Sequence, residues 1–261
     1  MTNTGATALA VANQKGGVGK TTTTINLAAA VAETGRRALI IDIDPQANAT
    51  SGLGIEARKV EQTVYEALIG QVGLADIIIP TRRPGLDIAP SAIRLAGAEI
   101  EMVGLMAREQ RLRRVLGTVT DRYDLILIDC SPSLGILTVN ALTAAHGILI
   151  PIQCEYLALE ALGQLTNTIK LIRENLNPQL RIAGMLMTMF DVRTNLSQQV
   201  VDEVRAHFPG QIFETVIPRT VRLSEAPSYG RPIIDYDPSS RGATAYRRLA
   251  NELLERLAAG I

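Results

Sequence analysis

The chain has 261 residues, 26 basic and 26 acidic, so its formal charge is zero and nothing global draws it to nucleic acid or an anionic membrane. Its length suits one large α/β domain, and with three Phe, six Tyr and no Trp the core falls to Leu, Ile, Val, Ala and Met. Cys130 and Cys154, both in apolar surroundings, read as buried intracellular thiols. With no basic-then-apolar leader and no apolar run near about 18 residues, the chain reads as a soluble cytoplasmic protein.

In chain order, an apolar strand at 9–12 leads into the run Q-K-G-G-V-G-K-T-T at 14–22, and helical spacing follows over 21–33. Glycines let backbone N–H groups close around phosphate oxygens, and a helix N-terminus adds donors and a partial positive charge. Gly16, Gly17, Val18, Gly19, Lys20, Thr21 and Thr22 therefore form the candidate nucleotide loop. Lys20 is placed to reach the β- and γ-phosphates, and the Thr21 hydroxyl to hold Mg²⁺. Gln14 stands where the strict pattern has its first glycine. Lys15 is a second cation with no local task in such a loop, yet two of the chain's four lysines lie here. A dinucleotide fingerprint is rejected, because it needs glycine at Thr22 and has no use for Lys20.

The next strand, 38–43, runs into Asp42 and Asp44 within D-x-D-P-Q. Two residues apart, the acids point the same way, toward the phosphate loop; one carboxylate can organise Mg²⁺ and its waters while the other orients an attacking water. Residues 52–85 carry weak signals and read as surface excursions. Helical spacing at 93–121 is broken. The strand 125–129 ends in Asp129, whose carboxylate can meet Mg²⁺ directly or through water. Helices at 136–145, 157–174 and 196–208 then alternate with strands at 148–152, 182–189 and 213–217. A final helix at 243–259 sets Tyr246, Leu249, Leu253 and Leu257 on one face. That face suits docking on the core better than a membrane, because it lacks Trp and Phe and the polar face carries Glu252 and Glu255. The alternation predicts an α/β fold: a doubly wound, mostly parallel sheet flanked by helices, ligands at the carboxyl ends of its strands, and, with the phosphate loop at 14–22, residues 1–261 forming a single P-loop domain. Beyond residue 180 arginines recur without lysine, which by composition alone is a solvated surface.

The run K-G-G-x-G-K-T-T resembles the deviant Walker A loop of the ParA/MinD/nitrogenase-iron-protein superfamily, D-x-D-P-Q its Walker A′ segment, and D-x-x-P-S-L-G after 128 its switch segment. The segments 189–195 and 216–232 resemble the chromosomal ParA (Soj) branch, and the likeness runs from about residue 8 to 237. The resemblance implies that Lys15 reaches across a nucleotide-sandwich dimer to the partner's ATP, making Lys15, Lys20 and Asp44 the catalytic set. It gives Asp44 the attacking water, Asp42 and Asp129 the magnesium shell with Thr21, Pro218 the adenine, and Arg193 and Arg222 DNA. It implies ATP and Mg²⁺ as cofactors and an ATP-dependent homodimer on non-specific double-stranded DNA. It also implies a ParB-like centromere-binding partner that triggers hydrolysis, nucleoid association in the cytoplasm, and no membrane. Two other roles keep the fold: a MinD-like membrane-associated positioning ATPase, for which 251–261 is a poor match, and a Soj-type regulator of replication initiation. An iron–sulfur protein of the nitrogenase kind needs cysteines on two loops at a dimer axis, which Cys130 and Cys154 do not supply.

Overall fold

The inner strands are short apolar runs covered on both faces. The computed structural model, which describes residues 5–155 and 158–260, contains β1 (Thr7–Val11), β2 (Ala38–Asp42), β3 (Ile79–Pro80), β4 (Leu86–Ala89), β5 (Leu125–Asp129), β6 (Gly147–Gln153) and β7 (Arg181–Thr188). They form one seven-stranded sheet in the order β3-β4-β2-β5-β1-β6-β7, in which only the β3–β4 pair is antiparallel. Side chains alternate between two cores: Ala8, Ala10, Leu39, Ile41, Ile126 and Ile128 face one layer, and Leu9, Val11, Ala38, Ile40, Leu125 and Leu127 face the other. Burial on both faces explains why these strands read as continuous apolar runs. His146, before β6, joins the foot of β1: its Nδ1 accepts from the Ala8 N–H at 2.9 Å.

The helices are α1 (Lys20–Glu33), α2 (Asn48–Gly52), α3 (Val64–Ile69), α4 (Leu95–Glu101), α5 (Arg111–Leu116), α6 (Ile136–Ala144), α7 (Ala158–Asn175), α8 (Asn195–His207), α9 (Val221–Glu225), α10 (Ile233–Tyr236) and α11 (Arg241–Ala258). The first residue of the helix expected at 157–174 lies outside the described residues. Tyr246, Leu249 and Leu253 of α11 are buried in the core shared with α1, and burying each contributes about 1.5–3 kcal/mol. The apolar face of the last helix is thus occupied within the chain. Among the described residues no helix is long and apolar enough to cross a membrane.

Two expectations are corrected, and a third is made specific. Residues 213–217 are not a strand: isolated bridges at Ile212 and Pro218 flank them, and only the Phe213 and Ile217 N–H groups among them donate to β7, to the Met185 and Met187 carbonyls at 2.9 Å each. The reason is a contact with the last helix, since the Glu214 and Thr215 N–H groups donate to the Glu252 carboxylate of α11 (2.7 and 3.0 Å) and leave the ladder. Residues 52–85 are more than surface excursions, because α3 buries Val64, Ala67 and Leu68. The broken 93–121 segment resolves into α4 and α5, with Ala107 at φ 51° between them.

Candidate active site

The sheet register sets the site. Asp129 pairs with Val11 on one side and Asp42 on the other, so the loop after β1 and both acids meet at the carboxyl edge. Gly17 and Gly19 adopt φ 76° and 90°, the left-handed region in which a Cβ is strained. Asn13 anchors the loop at its start, donating to the Pro151 carbonyl (2.8 Å) and accepting from the Lys15 N–H (3.0 Å). Thr188, at the end of β7, donates to the Val18 carbonyl at 2.8 Å. The N-terminus of α1 has no side-chain cap and no acid in its first turn, which leaves its orphan N–H groups for an anion.

A cleft of about 610 Å³ opens over this loop, lined by Gly16, Gly17, Gly19, Lys20, Thr21 and Thr22 together with Asp44, Gln46, Asn48, Pro132, Met189 and Pro227. That volume is ample for a nucleotide. The Lys20 ammonium is largely buried and donates to the Lys15 carbonyl at 3.0 Å. Burial lowers its pKa, opposed chiefly by the charge of Asp129. Asp129 is fully buried, accepting from the Thr21 hydroxyl at 2.8 Å and the Thr24 hydroxyl at 2.9 Å. Burial pushes the Asp129 and Asp42 carboxyls up, and the Asp42 charge lifts Asp129 further.

These donors are all oxygens, the set that suits Mg²⁺. Among the described residues no three carboxylate, imidazole or thiol groups converge as a protein cage, which fits a cation that keeps several waters and phosphate oxygens. Asp44 lines the cleft, whereas Asp42 lies beneath it with both oxygens engaged: Oδ1 accepts from the Asp44 N–H (3.1 Å), and Oδ2 from the Thr50 N–H (2.9 Å) and hydroxyl (2.7 Å).

Lys15 is not among the residues lining the cleft and forms an ion pair with Glu155, in the segment after β6, at 2.7 Å, each side chain partly exposed. Pro218 does not line the cleft; it pairs with Phe190, one residue beyond Met189, which does. Arg193 and Arg222 lie outside the cleft and are solvent-exposed. Arg193 grips Asp191 through Nε (2.9 Å) and Nη2 (2.6 Å). Arg222 pairs with Glu225 (3.1 Å) and Asp237 (3.5 Å). Sequence reasoning missed Glu155, Thr24, Thr50, Thr188 and Met189, the last held at φ 53°. The four-threonine run at 21–24 carried the signal for Thr24; the others are joined to the site only by the fold.

A glycine loop of this shape, between a central parallel strand and a helix N-terminus with a buried Asp beside it, defines a P-loop ATPase. The AAA domain family matches residues 6–182. The chain is 57% identical over 245 residues to the sporulation initiation inhibitor protein Soj of Bacillus subtilis (strain 168), covering 94% of this chain and 97% of that protein. It is 52% identical over 248 residues to the chromosome partitioning protein ParA of Myxococcus xanthus (strain DK1622), covering 95% and 88%. A solved structure named cobyrinic acid a,c-diamide synthase from Mycobacterium smegmatis, with bound ATP analog and magnesium, superposes with TM-score 0.87 at 39% identity, covering 98% and 97%. The chain belongs to the ParA/Soj family of partitioning ATPases.

Proposed function

We propose that this chain is an ATP-gated DNA-partitioning switch with ATP and Mg²⁺ as cofactors, its 261 residues one P-loop ATPase domain. In this reading the glycine loop and the α1 N-terminus take the phosphates, and Lys20 exchanges the Lys15 carbonyl for phosphate oxygens. Thr21 and Asp129 hold the metal, with Asp42 in its outer shell and Pro218 near the adenine. Bound Mg²⁺ supplies charge neutralisation at the transferring phosphoryl group. Asp44, at the cleft wall, orients the attacking water.

The observation that carries the reading is Lys15. Its ammonium is held outside its own phosphate loop, against a partly exposed carboxylate. A cation so placed is available to a second subunit's nucleotide, and two subunits joined in this way form the ATP-dependent homodimer. Dimerisation doubles the exposed arginine surface of Arg193 and Arg222, so binding that is weak per subunit becomes appreciable with ATP. The contacts are to phosphates and hence sequence-independent and salt-sensitive. A ParB-like centromere-binding protein then stimulates hydrolysis, and DNA is released. The protein is cytoplasmic and nucleoid-associated in this account.

The occupied apolar face of α11 supports this reading over a membrane-positioning role. Neither thiol is a candidate nucleophile. Cys130 and Cys154 are buried, and burial pushes both thiols up, the reverse of an activated nucleophile. Charge reversal tests the arginines: Arg193→Glu with Arg222→Glu abolishes DNA binding in an electrophoretic shift assay while ATP-dependent dimerisation, followed by light scattering, persists. Loss of both together would place these side chains in the fold or dimer instead.

A further inference from the structure

We propose that Thr50 and Ser91 are positioning residues for hydrolysis, fixing the turn that carries Asp44. The proposal rests on the reading of Asp44 as the group that orients water. The turn between β2 and α2 includes Ala47 at φ 52°, a left-handed conformation that an alanine holds only when its surroundings impose it. The surroundings here are a closed ring of buried hydrogen bonds. Thr50 donates its hydroxyl to Asp42 Oδ2 at 2.7 Å and accepts the Ser91 N–H at 2.9 Å. Ser91 donates its hydroxyl to the Asp44 carbonyl at 2.7 Å, and the Asp44 N–H returns to Asp42 Oδ1 at 3.1 Å.

Thr50, Ser91 and Asp42 are fully buried, so no water substitutes for a lost member. Both backbone polar atoms of Asp44 are therefore fixed by side chains, and its carboxylate is held in turn by the Gln46 N–H, which donates to Oδ1 at 3.0 Å. Ser91 reaches the turn from the segment after β4, 47 residues from Asp44, and Thr50 from α2. Neither hydroxyl touches the phosphate loop, and the Ser91 hydroxyl meets only the Asp44 carbonyl, so its loss falls on the hydrolytic step, whereas Thr50 also borders the magnesium shell through Asp42.

The test compares Ser91→Ala, Thr50→Val, Thr50→Ser and Asp44→Asn in single-turnover ATP hydrolysis and in binding of a fluorescent ATP analogue, with thermal unfolding as the check on folding. Ser91→Ala and Thr50→Val are expected to slow hydrolysis by about tenfold to a hundredfold, with the analogue's Kd unchanged in Ser91→Ala. Thr50→Ser restores the rate, and Ser91→Ala added to Asp44→Asn costs nothing further. Wild-type hydrolysis by folded Ser91→Ala overturns the proposal, as does a further loss in the double variant. Full turnover by Asp44→Asn alone overturns the assignment of Asp44 itself and is read independently. If Thr50→Val does not fold, Ser91→Ala, which removes a single hydroxyl, carries the test.

Discussion

Glu155→Gln removes the carboxylate that holds Lys15 within its own subunit. The pair is 2.7 Å long with side chains 32% and 47% exposed, so it belongs with half-solvated ion pairs worth about 0.5–1 kcal/mol. A sandwich dimer in which each Lys15 crosses to the partner breaks this pair once per subunit. Removing both therefore favours the dimer by about 1–2 kcal/mol, or about fivefold to thirtyfold in the dimer dissociation constant at RT of about 0.59 kcal/mol. Sedimentation equilibrium with ATP, in an Asp44→Ala background that holds the ATP state, measures this directly. A dissociation constant that is unchanged or weaker in Glu155→Gln refutes the reasoning, because Lys15 then does not leave Glu155 on dimerisation.

Two further predictions concern the buried acid pair and the core. Burial holds the Asp42 and Asp129 carboxyls up, at about 6 and about 8. Acids with raised native pKa values stabilise the fold below their unfolded pKa, and that stability is lost as pH rises through the native values. Without nucleotide and Mg²⁺, the Tm should fall as pH rises from the ordinary carboxylate range, about 4, through the raised native range of the coupled pair; Asp129→Asn should flatten most of the slope, and an undiminished slope in that variant contradicts the assignment. Gly184→Ala would drive its Cβ into the buried Phe213 ring. Overpacking of this kind costs about 1–3 kcal/mol, a Tm loss of about 2–4 °C per kcal/mol for a chain of this size; an unchanged Tm would mean that Phe213 has room to move.

The phosphate loop and its two acidic strands were legible because local chemistry dictates them. Glycine at 17 and 19 answers to positive φ, and Asp42 and Asp129 follow apolar runs whose two buried faces leave no alternation to misread. The segment at 63–69 was legible too, since T-V-Y-E is a capping box that the structure forms between Thr63 and Glu66. It was passed over because its helix is only six residues long. β4 escaped for a different reason: four residues interrupted by Asp87, whose carboxylate is accounted for only by the Tyr123 hydroxyl 36 residues away. The 213–217 error has the same root, because Glu252 is remote in sequence. Glu155 and Ser91 were equally out of reach, their partners being 140 and 47 residues distant. Local rules reveal the groups that bind phosphate, while the groups that aim them become visible only when the sheet is closed.

The central claim is that ATP switches this chain onto DNA. Its most direct test is binding of Asp44→Ala protein to nonspecific duplex DNA, with ATP and with ADP, over a range of salt. The account predicts tight, salt-sensitive binding with ATP and none with ADP. Equal binding in both states, or none in either while ATP is still bound, would contradict it.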